Sequence, residues 1–166
     1  MVTDSQQMPP AIAQMSMLPT AIGYFVMEWT KHERMVAKLV SIAEGRDYEL
    51  VRDKLLDGPV KCYEDRLREL AAAIPEGSAA QAYFARILDE HPVLREVRHD
   101  VVHGFFLGIT PDDEFIMKRK IRKGPERIEP LTAETVLAFY HQLQALGETV
   151  MNAGRALQGK KPIGEA

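Results

Sequence analysis

The chain of 166 residues contains a single cysteine, Cys62, and no lysine or arginine before Lys31. One cysteine excludes an internal disulfide and any zinc site built from several cysteines, and this pattern is typical of a reducing compartment. The missing N-terminal positive charge excludes the start of a secretory signal. The longest uncharged segment, residues 5–27, contains three prolines and is a poor membrane span. These absences predict a soluble, cytoplasmic protein that does not associate with membranes.

The overall composition predicts an ordinary globular protein. Hydrophobic residues make up 46% of the chain and charged residues 27%, which is close to the average for soluble domains. The length fits one domain with a substantial core. The net charge of -3 argues against a protein that coats nucleic acid non-specifically, although it allows a local basic patch.

Apolar residues spaced by three and four positions predict helices along most of the chain. We expect residues 1–19, with four methionines and three prolines, to form a flexible arm, and residues 159–166 to form a loose tail. A single helical domain then occupies residues 20–158, beginning at the N-cap Thr20. The individual helices are predicted at 20–45, 48–56, 61–74, 79–89, 92–103 and 133–157.

Between residues 105 and 122 the apolar residues no longer follow the helical spacing of three and four positions. Two apolar segments, 105–109 and 114–121, flank a turn at 110–113, a pattern typical of a β-hairpin. Its second strand would place Lys118, Lys120 and Arg122 on one face, because side chains alternate along a strand. The predicted fold is therefore mainly α: an antiparallel helical bundle with one small β-hairpin inserted before the last helix.

One short segment concentrates groups suited to phosphate chemistry. It reads Arg98-His99-Asp100-Val101-Val102-His103-Gly104. Arginine matches the geometry of phosphate, and histidine exchanges protons near neutral pH. On a helix His99 and His103 share a face, which Arg95 extends by one turn, and Asp100 is close enough to His103 to orient its imidazole.

The position of Arg98 raises a geometric problem. On a straight helix the side chains of Arg98 and His103 leave the axis about 140° apart. The two can meet at one phosphate only if the helix ends between them, or if a second subunit contributes half of the site.

The segment resembles the motif of the HEPN family (higher eukaryotes and prokaryotes nucleotide-binding), in which an arginine is followed by four to six residues and a histidine. Here Arg98 and His103 are separated by four residues, and Gly104 follows. His99 stands where many family members have asparagine. Family members are small helical bundles, commonly dimers, with the motif on a late helix.

The resemblance implies a metal-independent endoribonuclease of toxin or defence type, with a composite site in a homodimer and no cofactor. His103 would act as general base or acid, and Arg98 would stabilise the charge that develops on the phosphate. His99 and Asp100 would support them. The implied partners are RNA and an antitoxin or other regulatory protein.

Other interpretations of the same residues stay open. A non-catalytic interaction protein, or one that only binds nucleotides or RNA, would use the same surface. His103 next to Gly104 could simply stabilise a helix end, and Arg98 could hold a carboxylate. His99 and His103 could bind a divalent metal if His91 or Asp100 supplied a third ligand, although we expect no metal site.

Three further features also have structural interpretations. The basic run 118–123, with Arg127 beyond it, suits an RNA backbone but equally suits a solvated strand edge. His32 lies on the apolar stripe of the first helix and is expected to be a core histidine. Cys62 is expected to be structural.

Overall fold

The computed structural model of the chain describes residues 10–56, 61–109, 115–119 and 127–163. This part of the protein is a mainly helical bundle with a small antiparallel sheet. The elements, in chain order, are α1 (Pro10–Glu44), α2 (Tyr48–Leu56), α3 (Lys61–Ala73), α4 (Ala79–His103), β1 (Phe105–Ile109), β2 (Phe115–Arg119), β3 (Arg127–Leu131) and α5 (Ala133–Leu157). The predicted bounds of α2 and α5 are confirmed.

The core lies between the long helices, where α1 packs along α5 and α4 packs mainly against α5. Tyr24 lies beside Tyr140 and Met35 lies beside Gly147, so α1 and α5 run in the same direction. For this pair of helices the predicted antiparallel arrangement is wrong. The largest fully buried apolar side chains are Trp29, Phe25, Phe84, Leu39, Leu67, Ile87, Leu94, Leu143, Leu146 and Val36. Burying a leucine or phenylalanine contributes about 1.5–3 kcal/mol each, so these contacts hold the helices together.

Helix α1 begins ten residues before the predicted start. It runs from Pro10 through Pro19, so residues 10–19 belong to the helix and not to a flexible arm; residues 1–9 lie outside the described part. Leu18 and Ala21 are buried on either side of Pro19. The burial of these neighbours offsets the hydrogen bond that a proline inside a helix cannot donate.

Helix α4 is one continuous helix where two were predicted. It extends through Pro92, and His91 and Leu94 are both buried around that proline. The expected break at residues 90–91 is therefore wrong, for the same physical reason as in α1. The N-terminus of α4 is capped by Ser78, whose hydroxyl accepts a hydrogen bond from the N–H of Gln81.

The strand region contains a three-stranded sheet in the order β1-β2-β3. The prediction of a single hairpin is corrected, because the third strand, β3, was assigned to no element. β2 pairs antiparallel with both neighbours, and Lys118 lies opposite Phe105 on one side and Ile128 on the other. Residues 110–114 and 120–126, which include the predicted turn, lie outside the described residues.

The segment after α5 is held against that helix. The backbone N–H of Ile163 donates to Asn152 Oδ1 at 2.8 Å, and Arg155 Nε donates to the carbonyl of Lys161. Gly159 takes a left-handed conformation with φ of 68°, which favours glycine just past a helix end. Residues 159–163 are therefore not a loose tail, whereas residues 164–166 lie outside the described part.

Candidate functional site

Residues 98–103 form the end of α4, and Gly104 follows the helix as its C-cap. The backbone N–H of Gly104 donates to the carbonyl of Asp100 at 2.7 Å, which continues the helical hydrogen-bonding pattern to the end of α4. Gly104 itself is extended, with φ of -67° and ψ of 149°, and α4 ends at His103. No helix break separates Arg98 from His103. A helix end between the two residues, the first of the two solutions to the geometric problem, is therefore excluded.

His99 and His103 lie side by side on the solvent side of α4. Their ring centroids are 4.9 Å apart, with the ring planes tilted by 49°, and both residues are exposed. The buried face of the same turns is formed by Val97 and Val101, roughly opposite the histidines at 100° per residue. The predicted pairing of the two imidazoles is confirmed, and a ligand in solution can reach both.

Arg98 and Asp100 leave α4 on opposite flanks of its buried face, and both are half-buried. Among the described side chains, no carboxylate lies within 4.0 Å of Arg98. Arg98 follows His91 and Arg95 at helical spacing, so it lies on the flank of α4 that faces α3. The structure therefore separates Arg98 from His103 within one chain.

Arg95 was predicted to extend the histidine face by one turn. Its guanidinium forms ion pairs with two carboxylates. Its Nη1 lies 2.7 Å from Glu64 Oε2, and its Nη2 lies 3.0 Å from Glu96 Oε1. The pair with Glu64 ties α4 to α3 one turn before the histidine pair, whereas Glu96 lies on α4 itself. The two ion pairs give Arg95 a structural role and leave His99 and His103 as the accessible groups of this face.

The predicted nucleic-acid-binding residues are described only in part. Lys118 of β2 lies opposite Phe105, and Phe105 follows His103 by two residues. Arg119 of β2 lies opposite Arg127 of β3. The backbone therefore places three basic positions at the end of the sheet that adjoins the end of α4. Lys120 and Arg122 lie outside the described residues.

A buried polar cluster, which sequence reasoning did not find, joins α1, α3 and α4. Glu64 Oε1 lies 3.2 Å from His91 Nδ1, and the ring of His91 lies 5.4 Å, centroid to centroid, from the rings of both His32 and Trp29. His32, His91 and Glu64 are each no more than 3% exposed. The prediction of His32 as a core histidine is confirmed.

Burial controls the protonation of this cluster. Burial, and secondarily the neighbouring His91, lower the pKa of His32 to about 3. Burial also lowers the pKa of His91, an effect that Arg95 reinforces and the hydrogen bond with Glu64 opposes. Both imidazoles are therefore neutral in the folded protein at neutral pH. The carboxylate of Glu64 accepts from Nδ1–H of His91, which leaves Nε2 of that ring without a hydrogen atom.

The structure removes His91 as the third ligand of the metal alternative. His91 contacts Glu64 and His32 in the interior, so it cannot join His99 and His103 on the solvent side of α4. Across the described residues, no three or more His, Cys, Asp or Glu side chains are placed to hold a metal ion together.

Two surface grooves in the described part of the chain lie away from the histidine pair. One of about 380 Å³ lies between α4 and α5 and is lined by Arg86, Glu90, Val93 and Gln142 among others. Another of about 360 Å³ lies between α1 and α5. Neither groove is lined by a residue of the segment 98–104.

Comparisons of the chain with protein-family models, with curated proteins and with solved structures find no match. In the part of the chain that the structure describes, none of the helices combines the length and the apolar character needed to cross a membrane.

Proposed function

We propose that this protein is a HEPN-like, metal-independent endoribonuclease of toxin or defence type, whose active site is completed by a second copy of the chain. The observation that carries the proposal is the exposed pair His99 and His103. It lies at the end of α4, next to the basic positions Lys118 and Arg119 of β2. Histidines supply proton transfer, and nearby cations attract the RNA backbone.

The chemistry is a transesterification within the RNA. His103 removes the proton of a ribose 2′-hydroxyl, and the 2′-oxygen forms a bond to the adjacent phosphorus while the bond from phosphorus to the 5′-oxygen breaks. The leaving 5′-oxygen takes a proton from the imidazolium, and the products are a 2′,3′-cyclic phosphate and a 5′-hydroxyl. His99 and Asp100 position His103 or the RNA backbone.

Arg98 stabilises the negative charge that develops on the phosphate oxygens. Because α4 is continuous through His103, Arg98 and His103 of one chain diverge by about 140°. The arginine in each site therefore comes from the partner, and each dimer holds two equivalent sites.

The first test is RNA cleavage by the purified full-length protein in EDTA. Wild type is compared with Arg98→Ala and His103→Ala, and with two matched controls at exposed positions elsewhere, Arg34→Ala and His141→Ala. We expect cleavage by wild type and by both controls only. Absence of cleavage by wild type, or equal cleavage by all five proteins, would remove the catalytic proposal, and RNA binding without cleavage would favour the non-catalytic alternative.

The second test distinguishes a composite site from a site within one chain. Arg98→Ala and His103→Ala proteins are mixed, unfolded and refolded together so that protomers exchange. A mixed dimer then holds one site with both residues intact, so random pairing restores about a quarter of wild-type activity. If each site lies within one chain, the mixture stays as inactive as the separate variants.

A further inference from the structure

The groove between α1 and α5 has an apolar interior. Its volume of about 360 Å³ lies within the range of sites that bind small molecules. Leu39, Val150 and Gly154 line it and are buried, whereas Met35 and Met151 line it and are more exposed. Methionine side chains adapt to the shape of what they contact. We refer to the cleft lined by these residues as the α1–α5 groove, and its interior suits the apolar part of a ligand.

The α1–α5 groove follows the two helices and is elongated. Its lining spans residues 35–42 of α1 and 150–158 of α5, which is about 10–12 Å at 1.5 Å per residue. The helices approach closely here, because a Cβ atom at Gly154 would lie only 3.2 Å from Ile42 Cδ1. This shape fits a linear chain better than a bulky ring system.

The charged side chains of the groove are all positive. Among the described residues that line it, Lys38 and Arg155 are the only charged ones. Neither lies within 4.0 Å of a carboxylate in the described part of the chain. Lys38 Nζ lies 5.3 Å from the ring centre of Tyr48, and Arg155 Nε donates to the carbonyl of Lys161. These contacts hold the two side chains but leave both charges without a counterion.

The positive charge is a local property of this groove. The whole chain has a net charge of -3, so the two cations do not belong to a general excess of positive charge. The groove between α4 and α5 is different, because Asp89 and Glu90 line it and Arg86 Nε lies 2.6 Å from Glu90 Oε1. Charge complementarity therefore favours an anion in the α1–α5 groove alone of these two.

We propose that the α1–α5 groove binds a medium-chain fatty acid, with the alkyl chain on the apolar lining and the carboxylate paired with Lys38 and Arg155. Because Ile42 lies beside Gly154, Arg155 lies about 7.5 Å beyond Lys38 along the parallel helices. Both side chains are long and flexible enough to converge on one carboxylate. Cations form charge-assisted hydrogen bonds with carboxylates, and burial of the alkyl chain favours binding.

The proposal is independent of the proposed function, because the groove contains no residue of the segment 98–104. Loss of nuclease activity in any variant therefore leaves it unaffected, and failure to bind a fatty acid leaves the nuclease proposal unaffected.

The first test uses methionine methyl groups as reporters. The full chain, labelled with ¹³C at these methyl groups, is titrated with sodium decanoate below its critical micelle concentration and followed by NMR, with Met→Leu variants for assignment. Met35 and Met151 line the groove, whereas Met17 and Met27 are exposed elsewhere on α1. We expect saturable shifts of the first two signals and no change in the other two. Unchanged signals from Met35 and Met151, or equal shifts at all four, would overturn the proposal.

The second test varies the head group of the probe and so does not depend on any variant. Decanol has the same chain without a charge, and decyltrimethylammonium carries the opposite charge. We expect both to bind at least about tenfold more weakly than decanoate, since neither forms a charge-assisted hydrogen bond with a cation. Equal affinity of decanoate and decanol would overturn the assignment of the carboxylate.

The third test removes the cations one at a time. Lys38→Gln and Arg155→Gln should each weaken decanoate binding by about tenfold. Lys31→Gln and Arg34→Gln are the matched controls, at exposed positions of α1 outside the groove, and should bind as wild type does. Circular dichroism confirms that each variant is folded. Wild-type affinity in both groove variants, or an equal loss in the controls, would contradict the proposed site.

Discussion

The imidazole rings of His32 and His91 lie 5.4 Å apart, centroid to centroid, in the interior of the helical bundle. His32 belongs to α1 and His91 to α4, and both are at most 1% exposed. On the other side of His91 lies Glu64 of α3, which also holds Arg95. Three helices therefore meet around two imidazoles whose pKa values are lowered by burial, so that the folded bundle favours their neutral forms.

The first prediction concerns acid. The pKa of His32 is about 3 in the folded protein, and in the unfolded chain it is about 6.5. Between these values the unfolded chain binds a proton that the folded protein does not, so the free energy of unfolding falls as the pH falls, by about 1.4 kcal/mol per pH unit for one such group. His91 shifts in the same direction. Chemical denaturation between pH 7.5 and 5 measures this slope.

The variant that checks this assignment is His32→Leu, with His141→Leu as an exposed control. We expect His32→Leu to show a shallower dependence of unfolding free energy on pH, and the control to show the wild-type dependence. Carboxylates with lowered pKa values, such as Glu44, become protonated mainly below the pH range of this measurement. They therefore contribute little to the slope between pH 7.5 and 5. An unchanged slope in His32→Leu would contradict the role given to His32.

The second prediction concerns Glu64. Its carboxylate is 4% exposed and pairs with Arg95 at 2.7 Å, so Glu64→Gln leaves a cation with a weaker partner. We expect a loss of about 2 kcal/mol in the free energy of unfolding, because removing one member of a largely buried pair leaves the other uncompensated. Glu69→Gln is the control: Glu69 is 63% exposed in its pair with Arg66 and should cost less than about 0.5 kcal/mol. Equal losses would show that Glu64 contributes no more than a surface ion pair.

The parts of the fold that the sequence predicted well have strong local signals. Helix α2 ends just before an Asp-Gly-Pro sequence at 57–59, and α5 begins at the N-cap Thr132, so both were placed correctly. The predicted helix boundaries near Pro19 and Pro92 are wrong because tertiary contacts outweigh a local signal there. Local preference ends a helix at proline, but burial of the neighbours in the tertiary structure continued it.

The candidate site was predictable only where it is local. The pairing of His99 with His103 follows from their spacing of four residues, and one helix suffices to bring them together. The contact of Glu64 with His91 joins residues 27 apart on two helices, and no spacing rule connects them. β3 contains Pro130, and a proline within a short segment argues against a strand.

The third prediction concerns the start of α5. The hydroxyl of Thr132 accepts from the N–H of Thr135 at 3.1 Å, where the sheet joins the helix. Thr132→Ala leaves that N–H without its partner and should lower the free energy of unfolding by about 1 kcal/mol. Thr132→Asp keeps an acceptor at the N-cap and should retain most of the stability. Urea denaturation of the three proteins measures the difference, and equal stability of the alanine and wild-type proteins would show that the cap contributes nothing.

The fourth prediction separates the roles of the two exposed histidines in the proposed reaction. An asparagine at position 99 can still donate and accept hydrogen bonds, but it cannot carry a proton between oxygens. If His99 only positions its neighbour or the RNA, His99→Asn should keep cleavage within about tenfold of wild type, whereas His99→Ala should lose more. His103→Asn should lose about 10²–10⁴-fold, because general acid–base catalysis needs a group that titrates. Initial cleavage rates of the wild type and the three variants on one RNA give these comparisons. Equal loss in His99→Asn and His103→Asn would mean that both imidazoles transfer protons, one as the base and the other as the acid.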